Sequence, residues 1–305
     1  LVAILPSYIE LVTGSAWEFT LILRVLRLFK LLRFTGAFDT IFAVIRSERR
    51  PLLATFCVIA VILLLIAAFA AGWIDAVSGG GGLVQLPALL LVFPHSATLT
   101  AMGTNKTSSI IGTSMALRTY TMSHAPDWSL ARRIMAVAFV ASGLGTFTAT
   151  RVSTEFLRPV VVIVLAVVWV FTIVRKPVLD REVFESANVA GALVIAGVVG
   201  FYDGLIGPGT GSFLLIGFVS VVGLSFLGAS VAAKLANWAT NLASIIVFAV
   251  SGHIYLGLAL CMGAFNALGG WLGAHMAIAK GSAFVRVVFL CTTGALLVRL
   301  GWSLI

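Results

Sequence analysis

Charged residues are scarce in this chain. Only 10% of its 305 residues are charged and 60% are hydrophobic, with a mean hydropathy of +1.12, whereas soluble globular proteins have about 25% charged residues. The chain therefore cannot keep its surface in water. Its apolar stretches reach the length of helices that cross a bilayer, about 20 residues. The composition predicts an all-α membrane protein, a polytopic bundle surrounded by lipid.

Motifs for catalysis, metals and nucleotides are also missing. The three cysteines lie far apart in apolar segments without a Cys-x-x-Cys pair, so we expect neither disulfides nor a metal site. There is no His-Glu-x-x-His and no Gly-Lys-Ser/Thr phosphate loop, which excludes two common routes to zinc and ATP chemistry. Tyr202-Asp203 lacks the Gly-x-Gly-Asp partner of intramembrane aspartyl proteases. We expect no cofactor, and a protein that is not an enzyme.

An internal repeat dominates what is present. Shifted by 128 residues, the second half matches the first without a gap; the matched residues are Gly72, Asp75, Gly79, Gly81, Lys106, Gly145, Phe156 and Arg158 with Gly200, Asp203, Gly207, Gly209, Lys234, Gly273, Phe284 and Arg286. Many secondary transporters place a substrate site between two such repeats. The pattern predicts an N-terminal segment at 1–50, a first repeat at 51–176 and a second at 177–305.

Basic residues are concentrated in short connections. They are Arg46, Arg49 and Arg50; Arg118, Arg132 and Arg133; Arg175, Lys176 and Arg181. Because short basic loops stay in the cytoplasm, this predicts about four crossings per repeat, eight in all, with parallel repeats. If the segment 76–92 crosses fully, each repeat has five crossings and the halves are inverted. The cations lie at helix ends rather than on one basic face, so we expect no nucleic-acid partner.

A glycine-rich break follows the aspartate of each repeat. Each glycine costs a helix about 1 kcal/mol relative to alanine, and Pro208 about 3 kcal/mol, so neither segment can be one continuous helix. The free amides of an interrupted helix, with the positive end of its dipole, form an anion site. Candidate binding residues at the breaks are Gly79, Gly80, Gly81, Gly82, Gly207, Gly209, Thr210 and Ser212. For Gly143, Gly145, Gly269, Gly270 and Gly273 we expect close helix packing instead.

One lysine follows each break inside a stretch without other charges. An ammonium in the bilayer costs at least ~2.5 kcal/mol, so Lys106 and Lys234 need a partner or a ligand. Asn105, Asn237 and Asn241 add polar groups beside them. Each lysine could instead pair with the aspartate of its own repeat, or reach an interface. Asp75 and Asp203 could be proton-coupling carboxylates, salt-bridge partners or helix caps.

At these residues the chain resembles the sulfite exporter TauE/SafE family of membrane transporters. The motifs are Gly72 to Pro87 followed by Gly103-Thr104-Asn105-Lys106, then Phe-Tyr-Asp-Gly-x-x-Gly-Pro-Gly-Thr-Gly-Ser at 201–212 and the series Lys234, Asn237, Asn241. The resemblance covers about 66–305. It implies a carrier of small anions such as sulfite, sulfonates or related organosulfur acids, in the plasma membrane and, we expect, the bacterial inner membrane.

The N-terminal segment has a different character. Arg24, Arg27, Lys30 and Arg33 recur at every third position and resemble the charged helix of a voltage sensor, while residues 3–8 and 36–66 resemble neighbouring parts of voltage-gated potassium channels. No Thr-Val-Gly-Tyr-Gly filter follows, and the chain starts at Leu1. We expect a channel-like fragment joined to a carrier near 60–71, through a real fusion or a faulty gene model. Alternatively, these residues form a basic helix on the inner membrane surface.

Two functions follow from these patterns. The first is secondary transport of a small anion, with the lipid bilayer as the only other expected partner. The alternative is a voltage-gated cation channel or voltage-sensor module fused to a carrier. Substrate identity, direction, coupling ion and oligomeric state stay open.

Overall fold

A computed structural model describes residues 43, 46–93, 98–152 and 188–302. The chain divides into two compact units, Leu1–Ala60 and Val61–Ile305. Within the described residues the structure is helical and has no strands, which confirms the all-α prediction. The helices are α1 Arg49–Ser78, α2 Gly82–Val92, α3 Thr98–Ser123, α4 Trp128–Ala149, α5 Val189–Leu205, α6 Thr210–Gly217, α7 Phe226–Val250 and α8 Leu256–Trp302.

The helix starts follow the shift found in the sequence. Helices α2, α3 and α4 begin 128 residues before α6, α7 and α8, respectively. Helix α6 continues as a short π-helical segment, Phe218–Val222, and α8 is interrupted at Gly281, whose φ is 71° and ψ −168°. In the part of the chain that the structure describes, four stretches are long and apolar enough to cross a membrane: Arg49–Ser78, Trp128–Ala149, Phe226–Val250 and Leu256–Val288.

Polarity is distributed as a bilayer requires. Helix α3 is 26 residues long, which is enough to cross a bilayer. Its buried residues nevertheless include polar and charged side chains, among them Thr104, Lys106 and Ser108. Many large exposed side chains elsewhere are apolar, among them Val198 on α5 and Leu268 on α8. Lipid can solvate that exterior, and the enclosing helices keep the polar side of α3 away from it. The membrane assignment therefore agrees with both sequence and fold.

Equivalent helices of the two repeats run antiparallel. Near the start of α3, a Cβ atom on Gly103 would lie 2.1 Å from the carbonyl oxygen of His253, just beyond the end of α7. Near the start of α7, a Cβ on Gly228 would lie 3.6 Å from Nε2 of His124, just beyond the end of α3. The antiparallel packing of α3 and α7 contradicts the prediction of parallel repeats and agrees with the inverted orientation.

The first helix of each repeat packs on the fourth helix of the other. A Cβ on Gly145 of α4 would lie 2.1 Å from the carbonyl oxygen of Phe201 on α5, and one on Gly269 of α8 would lie 2.0 Å from that of Phe69 on α1. The same role is confirmed for two further glycines, Gly270 and Gly273. It is wrong for Gly143, where a Cβ would meet nothing closer than Ala243 Cβ at 4.0 Å.

Candidate functional site

Both predicted helix breaks are present. Helix α1 ends at Ser78 before α2 begins at Gly82, and α5 ends at Leu205 before α6 begins at Thr210. Gly79 has φ +80°, Gly207 +90° and Gly209 +85°, in the left-handed region that side-chain-bearing residues rarely adopt. The sequence therefore identified the positions where each helix stops.

The two breaks touch each other through their backbones. A Cβ on Gly79 would lie 2.2 Å from the carbonyl carbon of Gly211, and one on Gly211 would lie 2.5 Å from Cα of Gly79. The Ser212 hydroxyl donates a hydrogen bond to the carbonyl of Ser78. The absence of side chains at these glycines brings the two repeats into direct contact.

Each short helix begins without a side-chain cap. The N-cap residues are Gly81 for α2 and Gly209 for α6, and neither supplies a capping hydrogen bond. The first-turn amides carry the positive end of the helix dipole, although several of them already donate to carbonyls of the breaks, such as Leu83 N–H to Gly80 O and Ser212 N–H to Gly209 O. Gly82 lies against the opposite break, since a Cβ there would be 3.7 Å from Cα of Pro208. The contact between the two breaks thus brings together the electropositive starts of α2 and α6.

The buried lysines form ion pairs across the repeats. Lys106 Nζ lies 2.6 Å from Asp203 Oδ2, and Lys234 Nζ lies 2.9 Å from Asp75 Oδ2. Three of these side chains are at most 5% exposed, and Asp75 is 15% exposed. The expectation that each lysine needs a partner is confirmed, but pairing within one repeat is wrong. The cap alternative is wrong too, because both aspartates lie inside α1 and α5.

Asp203 and Lys106 are held at the second break. Thr210 Oγ1 lies 2.6 Å from both Asp203 Oδ1 and the carbonyl oxygen of Gly207, and its single proton can serve one of them at a time. A Cβ on Gly207 would lie 3.2 Å from Lys106 Nζ. The Tyr202 hydroxyl donates to the Pro208 carbonyl at 2.7 Å. The ammonium therefore lies directly over the break.

Asp75 and Lys234 have a related arrangement at the end of α1. Besides the carboxylate, Lys234 Nζ donates to the backbone carbonyl of Asp75. The Tyr120 hydroxyl donates to the carbonyl of Ala76 at 3.0 Å. The Asp75 carbonyl also accepts from Gly79 N–H at 2.8 Å, so the ammonium adds to that bond, while the phenol binds another carbonyl in the last turn of α1.

The remaining predicted residues are arranged as follows. Asn105 is buried, with Nδ2 3.8 Å from the position of a Cβ on Gly82. Asn237 and Asn241 are buried on α7, one and two turns beyond Lys234. A Cβ on Gly81 would lie 2.4 Å from the Ala71 carbonyl oxygen, while one on Gly80 would meet the Leu83 side chain at 3.3 Å. Gly81 thus packs tightly on α1, and Gly80 has more room.

Sequence reasoning missed Gln85 and Asn266, which are both buried near the first break. A signal existed for one of them, since Gln85 is the single polar side chain of α2. Among the described residues no group of three or more His, Cys, Asp or Glu could hold a metal ion. The voltage-sensor-like residues Arg24, Arg27, Lys30 and Arg33 lie outside the described residues.

Known proteins share most of this chain. Residues 64–300 match the family model described as sulfite exporter TauE/SafE. A Sinorhizobium protein called probable membrane transporter protein ORF9 is 31% identical over 241 residues, 78% of this chain and 90% of the relative. A probable membrane transporter protein of Haemophilus influenzae is 33% identical over 224 residues, 72% and 85% of the two chains.

A further relative is the probable membrane transporter protein YfcA of Escherichia coli K12, which is 28% identical over 240 residues, 78% of this chain and 88% of the relative. No solved structure matches the chain significantly. The family match begins at residue 64, so it lends no support to the voltage-sensor resemblance of the N-terminal segment.

Proposed function

The chain belongs to the sulfite exporter TauE/SafE family of membrane transporters, and we propose that it carries a small oxyanion, sulfite or an organosulfonate, by secondary transport across the bacterial inner membrane. The observation that carries this proposal is the pair of buried lysines at the crossed breaks. Each ammonium is within reach of a helix end, and each is bound by a carboxylate that an external oxyanion can replace.

Buried ion pairs contribute little net free energy to the stability of a fold. Removing two charges from water costs several kcal/mol per ion, and a buried pair often stabilises no more than apolar residues of similar volume. A functional role for the pairs follows if the carboxylate can exchange with the substrate. The aspartate carboxylate neutralises the lysine ammonium when substrate is absent, and a bound oxyanion replaces the carboxylate beside that ammonium.

The pairs also connect the two halves that must move. Lys106–Asp203 joins α3 to α5, and Lys234–Asp75 joins α7 to α1, so each pair links the first repeat to the second. An oxyanion that takes an ammonium from its aspartate removes one of these links. In transporters built from inverted repeats, relative movement of the halves around a central site gives alternating access.

The test is a titration of purified protein with sulfite. Lys106→Met and Lys234→Met should each weaken binding about tenfold or more, because a hydrogen bond to a charged group contributes ~1.5–3 kcal/mol. The matched control is Lys280→Met, which removes an exposed ammonium that lies 4.8 Å from the Phe284 ring centroid. Wild-type affinity in both site variants would overturn the proposal.

Misfolding must be separated from lost binding. Each single variant leaves a buried carboxylate unpaired, so the doubles Lys106→Met/Asp203→Asn and Lys234→Met/Asp75→Asn are needed as well. We expect these doubles to fold and still bind sulfite weakly. Wild-type affinity in the doubles would show that the pairs are purely structural.

A further inference from the structure

The first break has a buried polar cluster beside it whose equivalent positions in the repeat are apolar. Around the first break the cluster contains Gln85 on α2, Asn105 and Ser108 on α3, and Asn266 on α8. At the 128-residue shift these positions become Phe213, Ala233, Ala236 and Ala138. The three alanines belong to an apolar core. The repeats are therefore equivalent in their ion pairs but not in the side chains beside them.

The cluster lies where α2 faces α3. Asn266 Nδ2 donates to Gln85 Oε1 at 2.8 Å. The Asn266 side chain also contacts Gly112, since a Cβ on Gly112 would lie 1.8 Å from Asn266 Oδ1. Asn105, Ser108 and Gly112 are three and four residues apart and share one face of α3. On α2, Gly82 lies beside Asn105, and Gln85 follows it by three residues. The polar groups of both helices therefore converge.

Three atoms of this cluster lack a hydrogen bond. Gln85 Nε2, Asn105 Oδ1 and Ser108 Oγ are buried and have no partner in the described part of the chain. Buried polar groups in folded proteins are nearly always bonded. A second polar cluster in the molecule follows that rule, because Ser244 Oγ lies 3.1 Å from Ser142 Oγ and 2.9 Å from Thr146 Oγ1. Within the described ranges, Thr113 Oγ1 on α3 and Asp203 Oδ2 also lack a hydrogen bond, but Asp203 Oδ2 is ion-paired with Lys106.

The free atoms suit a ligand hydroxyl. Gln85 Nε2 can only donate and Asn105 Oδ1 can only accept, while Ser108 Oγ can do either. A hydroxyl group both donates and accepts, so it can satisfy the amide donor and the amide acceptor together. A carboxylate or sulfonate oxygen could not satisfy Asn105 Oδ1, and an ammonium could not satisfy Gln85 Nε2.

The cluster and the lysine lie near the same contact between the two breaks. Lys106 Nζ lies over Gly207 of the second break, and Asn105 lies beside Gly82, which in turn contacts Pro208. Gly207 and Pro208 are consecutive, and consecutive Cα atoms are about 3.8 Å apart. The ammonium and the hydrogen-bonding cluster therefore border the same contact between the two breaks, and we expect one small anion to reach both.

We propose that Gln85, Asn105 and Ser108 form a hydroxyl-binding subsite beside Lys106, which makes the transporter select a short hydroxyalkylsulfonate over the same anion without its hydroxyl. This inference rests on the proposed function, since the anionic group is placed at Lys106. The subsite belongs to one repeat, so a bound substrate has a defined orientation between two otherwise similar halves.

Two sulfonates that differ by one hydroxyl group test this directly. Purified wild-type protein should bind 2-hydroxyethanesulfonate about tenfold or more tightly than ethanesulfonate, because the smaller anion leaves buried partners unpaired. Gln85→Leu and Ser108→Ala should each reduce that ratio towards one. Ser142→Ala, which alters the hydrogen-bonded cluster instead, should leave the ratio as in the wild type.

The outcomes separate the subsite from the transporter proposal. Equal wild-type affinities for the two sulfonates would overturn the subsite, and this comparison requires no variant to fold. An equal loss for both ligands in Gln85→Leu and Ser108→Ala would overturn it as well. If sulfite and both sulfonates fail to bind the wild type, the proposed function fails; if sulfite binds and the hydroxyl has no effect, only the subsite fails.

Discussion

Lys106 and Asp203 are in contact at 2.6 Å although one belongs to each repeat. The same relationship joins Lys234 to Asp75, so the two ion pairs are related by the internal repeat. Both cross the boundary between the halves. Four buried charges of balanced sign therefore lie where the halves meet, and their coupling has measurable consequences.

The pairing predicts which double variants recover stability. Lys106→Met leaves Asp203 as an unpaired buried carboxylate, which costs about 3–5 kcal/mol. Adding Asp203→Asn should restore much of the lost thermal stability in detergent, and adding Asp75→Asn should not. Recovery with Asp75→Asn would instead indicate pairing inside one repeat.

The contact between the breaks predicts a strong effect at Gly79. Gly79→Ala places a Cβ 2.2 Å from the Gly211 backbone at a φ of +80°, so the repeats must separate locally. We expect reduced transport and a lower melting temperature. Gly143→Ala is the control, because its Cβ would meet only Ala243 Cβ at 4.0 Å. Similar transport and melting temperatures of the two variants would contradict the backbone contact between the two breaks.

The inverted arrangement predicts opposite accessibility of equivalent positions. Ser123 is the last residue of α3, and Ser251 directly follows α7. Both are exposed, and they are 128 residues apart. In a variant without the three native cysteines, Ser123→Cys and Ser251→Cys should react with a membrane-impermeant maleimide from opposite sides of the membrane. Labelling from the same side would support parallel repeats.

Charge balance predicts that protons accompany the substrate. The two lysines and two aspartates carry no net charge together, and an added anion leaves one uncompensated negative charge in a site of low polarity. That negative charge is removed if Asp203 takes up a proton when the anion displaces it from Lys106. Ethanesulfonate uptake into vesicles should therefore acidify their interior, as read by an enclosed pH-sensitive dye.

Asp203→Asn separates this coupling from binding. The variant has no carboxylate to protonate at that position, so ethanesulfonate uptake should no longer acidify the interior. Anion uptake by the wild type without any change of internal pH would contradict proton coupling at Asp203.

Much of this protein can be predicted from its sequence. Scarce charge and long apolar runs determine a helical membrane protein, because lipid cannot hydrogen-bond an open backbone. The glycine runs determine where α1 and α5 end, since the conformational cost of glycine and proline is local. An aspartate and a lysine recurring at one offset identify the charged groups, because a charge in an apolar segment needs a partner wherever that partner lies.

The tertiary structure decided which groups meet. Spacing along the chain is the same whether Lys106 pairs with Asp75 or with Asp203, and only the antiparallel packing of α3 and α7 brings Asp203 to it. Gly143 and Gly145 look alike in the sequence, yet only Gly145 faces a backbone. The cluster of Gln85, Asn105 and Ser108 likewise arises because α2 folds back onto α3. Contacts between distant segments depend on how whole helices pack, and local sequence patterns do not contain that information.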